Sequence, residues 1–289
     1  MFLGAKVQNA AGDILDLNSA ESRQKFVLAS IQGLNPPPAQ LNIANIYGMD
    51  GGRPNSAYRN TRNIVLTMLL RGDQEASRQE LYNYFNTKEP CRFFFQNVNR
   101  NVYIDAFTET VENDMFQRTG EVQVSLICPD PFFRDVEEYT YELQNSQGCF
   151  EFPFAIDANH PIPFGDYEAH RITEIVNDTQ MDLPVEIFIR CNGNHFQPRV
   201  QNIDTGEYFH IPTMPNVGDE YYINTDPANL TIKRIRAGVS SNAWSSLTEN
   251  SVLWQLHPGI NRIGYKTLTE ANDLEGTITI KVRPKYTGV

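Results

Sequence analysis

The sequence has no apolar run that approaches the roughly 18 residues of a membrane-spanning helix. Its first residues, Met1 to Lys6, also lack the cationic start and apolar core of a signal peptide. We therefore expect a product that is made in the cytoplasm and has no membrane partner. The four cysteines are far apart and form no CxxC pair, which predicts buried free thiols. A disulfide between Cys149 and Cys191 is the alternative, and only the residue type supports it.

Motifs of the common enzyme classes are missing as well. The chain has no GxSxG, GxxxxGK[ST] or GxGxxG sequence. Its five histidines show no HxxxH or HxH spacing that would predict a local zinc site. Paired carboxylates can hydrolyse glycosides, but the cluster after the first half reads as solvated linker residues: Asp130, Asp135, Glu137 and Glu138. The sequence predicts no enzyme, no cofactor and no metal.

Positive charge is scarce. Lys and Arg number 24 against 35 Asp and Glu, so the net charge is −11. This balance argues against a general nucleic-acid binder, although a small basic patch is compatible with it. Hydrophobic residues make up 40% and aromatic residues 11%, which is enough for a packed core and favours strands.

One helix is predicted, over Gln74 to Asn86. Asp73 is suited to capping its first turn, and Pro90 prevents its continuation. Spacings of three and four predict an apolar face formed by Ala76, Leu81, Tyr84 and Phe85.

Strand patterns fill most of the remaining chain. The clearest is Glu121–Cys128, where polar and apolar residues alternate and Val122, Val124 and Leu126 share one face. Prolines 129 and 131 stop it and divide the chain into domains 1–137 and 138–289. Gly33–Pro38 predicts a rigid break and Gly48–Asn55 a mobile loop. Further strands are predicted at 62–71, 92–96, 102–111, 183–190, 221–224, 230–235 and 277–283. Their short, regular spacing after Glu138 is typical of a jelly-roll sandwich.

Short motifs in both halves are most informative as an ordered set. The block Ser125–Phe133 closes the alternating strand with Cys-Pro-Asp-Pro. The others are Gly33-Leu34 before a proline run, Gly51-Gly52-Arg53, Arg62-Asn63-Ile64, Arg71-Gly72-Asp73 with Arg78 and Leu81, Asn113–Phe116, Trp254–Ile263 and Lys281–Val289. In this order the chain resembles the distal tail proteins of siphophages, with the weakest similarity between about 140 and 250.

The resemblance implies a mainly β structural protein of the virion, assembled in the host cytoplasm. Its first domain would be a ring-forming β-sandwich with an α-helix and a β-hairpin arm. Its second would be a galectin-like (jelly-roll) β-sandwich. Six copies would join the tail tube to the tail-tip protein, a tail-associated lysin or fibre protein, around a channel for DNA in transit. Receptor-binding and tape-measure proteins are further implied partners.

The ring implied by the resemblance gives a role to the segment from Ala39 to Asn63. It alternates at first and then becomes glycine-rich, which suits a hairpin arm that reaches a neighbouring subunit. A plain surface loop within one subunit is the alternative. The candidate arm residues are Tyr47, Gly48, Gly51, Gly52 and Arg53. The acidic residues have two interpretations as well: a channel lining that repels DNA, or ordinary surface solubility.

A carbohydrate-binding adhesion module is the alternative function, since galectin-like sandwiches stack sugars on aromatic rings. The candidates by residue type are Trp244, Trp254, Tyr221, Tyr222 and His210. Trp254 alternates with Val252 and Leu256 at strand period, which favours a core position. Trp244 is therefore the candidate glycan contact, although the ordered galectin sugar motif is not evident.

Overall fold

A computed structural model describes residues 2–45, 47–48, 50–113, 120–143, 145–147, 166–168, 172–268 and 275–289. The chain forms two compact units. The N-terminal unit comprises 1–137 together with 285–289, and the C-terminal unit comprises 138–284. The last five residues of the chain, 285–289, therefore belong to the N-terminal unit. Among the described residues, none of the helices reaches the length and hydrophobicity needed to cross a bilayer.

The N-terminal unit is built mainly from antiparallel strands. Its elements are β1 (Phe2–Gln8), β2 (Ile14–Asp16), α1 (Ser22–Lys25), β3 (Phe26–Gln32), β4 (Ala39–Asn45), β5 (Gly52–Arg59), β6 (Arg62–Leu70), α2 (Gln74–Tyr84), β7 (Pro90–Asn97), β8 (Asn101–Asn113), β9 (Glu121–Cys128), β10 (Phe133–Asp135) and, at the end of the chain, β23 (Lys285–Tyr286).

One continuous sheet carries the core of this unit. Its strands run in the order β2-β1-β7-β8-β9-β6-β3, with β10 and β23 attached through β8. In β9 every second residue from Val122 to Cys128 is buried, as the alternation predicts. The buried side chains of all these strands belong to one apolar cluster, so the sheet curves around a single core. The mainly β class predicted from the sequence is confirmed.

Helix α2 begins where the sequence predicts it and ends two residues earlier. The Asp73 side chain accepts hydrogen bonds from the backbone N–H groups of Glu75 and Ala76. Leu81 and Phe85 are buried in the core, as expected. The expectation for Ala76 was wrong: it is exposed, and Ser77 is buried in its place because the helix turns that position towards the sheet.

We predict that Asp73→Ala lowers the free energy of unfolding of the N-terminal unit by about 1 kcal/mol, because two N–H groups of the first turn lose their acceptor. Urea unfolding followed by far-UV circular dichroism measures the loss. Asp73→Asn is the matched control, since its amide oxygen can still accept these bonds. An asparagine variant as unstable as the alanine variant would contradict the capping explanation.

The C-terminal unit contains no helix of more than one turn among its described residues. Its elements are β11 (Tyr139–Glu142), β12 (Asn145–Gln147), β13 (Asp166–Glu168), β14 (Ile172–Asn177), β15 (Val185–Cys191), β16 (Arg199–Asn202), β17 (Tyr208–His210), β18 (Glu220–Asn224), β19 (Thr231–Arg236), β20 (Val239–Asn242), a 3-10 turn (Trp244–Ser246), β21 (Gly259–Lys266) and β22 (Gly276–Val282).

Two larger antiparallel sheets form the core of this unit, and β12 and β13 pair as a separate two-stranded sheet. One has six strands in the order β11-β22-β15-β18-β19-β20, and the other has four in the order β14-β21-β16-β17. Both contribute to one apolar core: Ile187, Ile223 and Ile280 from the first sheet, and Val200, Phe209 and Ile263 from the second. Two sheets that share a core make a β-sandwich. Its galectin-like character stays a prediction.

The cysteine prediction is confirmed for the described residues. Cys91, Cys128 and Cys191 are buried free thiols, and Cys149 lies outside the described residues. Burial raises the pKa of Cys91 to about 11 and the pKa values of Cys128 and Cys191 to about 12. These three thiols are therefore protonated and unreactive at neutral pH.

Candidate functional site

The candidate arm is a separate two-stranded hairpin. Strands β4 and β5 pair with each other from Ala39 opposite Arg59 to Asn45 opposite Gly52. The register shifts beside Asn42, where Asn55 is the extra residue of a bulge. The sequence predicted a mobile loop over Gly48–Asn55, and this was wrong for 52–55, which are strand residues. Cross-strand pairing outweighs the local turn signal of Gly52 and Pro54.

The five predicted arm residues lie together at the far end of this hairpin. Gly48 and Gly51 have φ values of 82° and 88°, which the connecting turn requires and side chains disfavour. Tyr47 projects fully into solvent. Gly52 and Arg53 begin β5, opposite Asn45 and Ala44, and both are exposed. The structure thus brings the five residues to one place, and their contact with another subunit stays a prediction.

The hairpin shields almost none of its own apolar surface. Leu41 is 59% exposed, Ile43 53% and Tyr58 55%. Leu41 and Ile43 lie on one face because they are two residues apart on β4. Within the described residues, the outer edges of β4 and β5 pair with no further strand. A lone two-stranded hairpin is marginal in water, and its unpaired edges are templates for another chain.

The base of the hairpin is fixed by Arg62, the first residue of β6. This residue is 2% exposed, and its guanidinium donates hydrogen bonds to the carbonyls of Gly33, Asn35, Pro131 and Thr287. It also lies 4.6 Å from the centre of the Phe133 ring. Burial lowers the pKa of this group below its ordinary value. Gly33 and Asn35 precede the hairpin, so Arg62 ties the incoming segment to the sheet.

The sequence analysis identified Arg62 only as the first residue of a predicted strand. Its position carried a signal: it has the same parity as Ile64, Leu66 and Met68, which are buried at every second position of β6. A charged residue on the buried face of a strand must find polar partners. Here the partners are backbone carbonyls.

The candidate glycan residues do not form one site. Trp254 and Tyr221 are both 2% exposed and belong to the core, which confirms the prediction for Trp254. Trp244 is 42% exposed and starts the 3-10 turn, where its backbone N–H donates to the side chain of Asn242. Tyr222 packs against Phe188 on the six-stranded sheet, with ring centres 5.2 Å apart. Trp244 as a glycan contact stays a prediction.

The remaining polar candidates serve in structural contacts. Asp130 pairs with Arg134 at 2.8 Å, and Glu138 pairs with Lys281 and Arg283 at 2.9 and 3.0 Å. His195 and His257 are exposed beside Glu275 and Asp182, while His160 and His170 lie outside the described residues. The described part of the chain holds no cluster of three or more side chains suited to a metal ion.

Residues 15–128 match the family of phage tail protein RIFT-related domains. No curated protein matches the sequence. The fold of the whole chain is similar to the crystal structure of the SPP1 Dit (gp 19.1) protein, described as a paradigm of the hub adsorption apparatus of phages that infect Gram-positive bacteria. The TM-score is 0.68, with 12% identity over 98% of this chain and 99% of that one.

The phage P2 baseplate in its activated conformation, solved with Ca and with Sr, contains a chain of similar fold. Both comparisons give a TM-score of 0.51 and 13% identity over 99% of each chain. The domain match and the shared fold confirm the resemblance to siphophage distal tail and baseplate proteins. Together they support a role for this chain as a structural component of the virion.

Proposed function

We propose that this chain, with its phage tail domain over residues 15–128 and the fold of a Dit protein, is the hub subunit of a tail tip. Six copies close into a ring that joins the tail tube to the tail-tip protein and leaves a channel for DNA. Its role is mechanical rather than enzymatic.

The observation that carries the self-association is the hairpin β4–β5. It holds apolar side chains and two unpaired backbone edges in solvent, and a neighbouring subunit would cover both. In a ring each subunit offers its hairpin to the next, so the same heterologous contact repeats until the ring closes. The second domain contributes the contacts to adhesion proteins.

The light-scattering mass of the purified chain tests the ring. We expect a particle near six times 32.9 kDa, with a central hole in negative stain. In the double variant Leu41→Ser with Ile43→Ser, we expect a shift to smaller species, because the contact loses its apolar surface. Each subunit should stay as stable as the parent, within about 0.5 kcal/mol, since both side chains are exposed.

Val98→Ser is the matched control. Val98 is 64% exposed between β7 and β8, away from the hairpin in the chain, and its loss should leave the ring intact. A double variant with the parental mass would overturn the role of the arm. A parent that stays monomeric at every concentration would overturn unaided ring formation.

A further inference from the structure

A row of basic side chains crosses the four-stranded sheet of the C-terminal unit. Arg199 on β16 lies opposite His210 on β17 and opposite Lys266 on β21. Directly paired residues share a face, so the three side chains stand side by side. Their neighbours Val200, Phe209 and Tyr265 are buried in the core, which places the row on the outer face.

Such a row is unfavourable without a partner of opposite charge. Like charges directly opposite each other destabilise a sheet. In the described part of the chain, none of the three side chains forms an ion pair, although acidic residues outnumber basic ones. Elsewhere in the same unit, basic side chains do pair with carboxylates: Arg190 with Glu220, Arg236 with Asp219, and Arg262 with Asp204.

The Arg199 side chain packs on an aromatic ring. Its guanidinium carbon lies 3.5 Å from the centre of the Tyr208 ring, a cation–π contact that fixes the group without neutralising it. Its Nε is buried and has no hydrogen-bond partner among the described residues. Burial and the charge of Arg199 lower the pKa of His210. The row therefore presents Arg199 and Lys266 as its permanent charges.

The row lines a cavity of about 280 Å³. No carboxylate is among its described lining residues. Besides the basic row and Tyr208, the cavity is lined by amides, hydroxyls and one apolar side chain: Gln197, Asn250, Thr248, Thr267 and Leu268. Hydrogen-bonding groups around fixed positive charges suit a small ligand that carries both hydroxyls and an anionic group.

We propose that this cavity binds a sugar unit that bears a phosphate or carboxylate group. The anionic group would lie on Arg199 and Lys266, and the sugar hydroxyls would face Asn250 and Thr248. The site is separate from Trp244, which does not line it. All its residues belong to the C-terminal unit, whereas the proposed ring contact is the hairpin β4–β5 of the N-terminal unit.

Calorimetric titration of the full chain with four probes tests the proposal. We expect saturable binding of glucose 6-phosphate or glucuronate, and the stronger of the two identifies the anionic group. Glucose and inorganic phosphate should each bind at least about tenfold more weakly than the tighter anionic sugar, because each offers only one of the two recognised groups. Glucose bound as tightly as the anionic sugars would overturn the role of the basic row. Phosphate bound as tightly as glucose 6-phosphate would overturn sugar recognition.

Arg199→Gln should weaken binding of the tighter anionic sugar by about tenfold or more. Lys266→Gln, at an exposed position, should weaken the same binding. Arg262→Gln is the matched control, since Arg262 lies on β21 with Lys266 but is already paired with Asp204. An equal loss in the control, or no saturable binding of either anionic sugar, would overturn the proposal.

Discussion

Replacing Arg62 by leucine is expected to lower the free energy of unfolding of the N-terminal unit by at least about 3 kcal/mol. The four carbonyls that this guanidinium satisfies come from three separate parts of the chain: 33–35, Pro131 and Thr287. Leucine fills part of the space but donates nothing, so these part-buried acceptors lose a charged donor. A single hydrogen bond to a charged group contributes about 1.5–3 kcal/mol.

Denaturant unfolding followed by far-UV circular dichroism measures this loss. Both tryptophans, Trp244 and Trp254, lie in the C-terminal unit, so their fluorescence reports that unit separately. Arg59→Leu is the matched control: it removes the same charge three residues earlier, from an exposed position on β5. An Arg62→Leu chain as stable as the Arg59→Leu chain would show that the guanidinium does not hold the base of the hairpin.

Elements that depend on local signals were predictable from the sequence. Strand β9 has the predicted bounds because its polar–apolar alternation begins at Glu121, breaks only at Ile127 and ends before Pro129. Helix α2 begins where Asp73 caps it. The strand predicted from Leu183 begins instead at Val185, because Pro184 has no N–H to donate to the neighbouring strand.

Features that depend on distant segments were not predictable in this way. The last five residues return to the N-terminal unit, where β23 pairs with β10 and Arg100 donates to the carbonyl of Gly288 at 2.7 Å. Nothing local to 285–289 specifies that partner. The basic row is similar, because residues 199, 210 and 266 meet only through the pairing of three strands. The hairpin β4–β5 was predictable only in part. Its alternating residues are a local signal, but no local signal shows that it stays separate from the main sheet.

The two tryptophans should respond very differently to truncation. Trp254 is 2% exposed in the core between the two sheets, and Trp254→Ala is expected to lower the free energy of unfolding of the C-terminal unit by about 3–5 kcal/mol. The loss combines the removed apolar contacts with the cavity that the rigid sheets leave open. Trp244→Ala, at an exposed position, should cost less than about 1 kcal/mol.

A third variant separates the volume of Trp254 from its polarity. The indole N–H of Trp254 is buried and has no hydrogen-bond partner among the described residues. Trp254→Phe therefore removes an unsatisfied donor and keeps most of the ring, so it should be much less destabilising than alanine. Circular dichroism is the common measurement for all three variants, since each has lost one fluorophore. If phenylalanine cost as much as alanine, an unseen partner of the indole N–H rather than packing volume would hold this residue in the core.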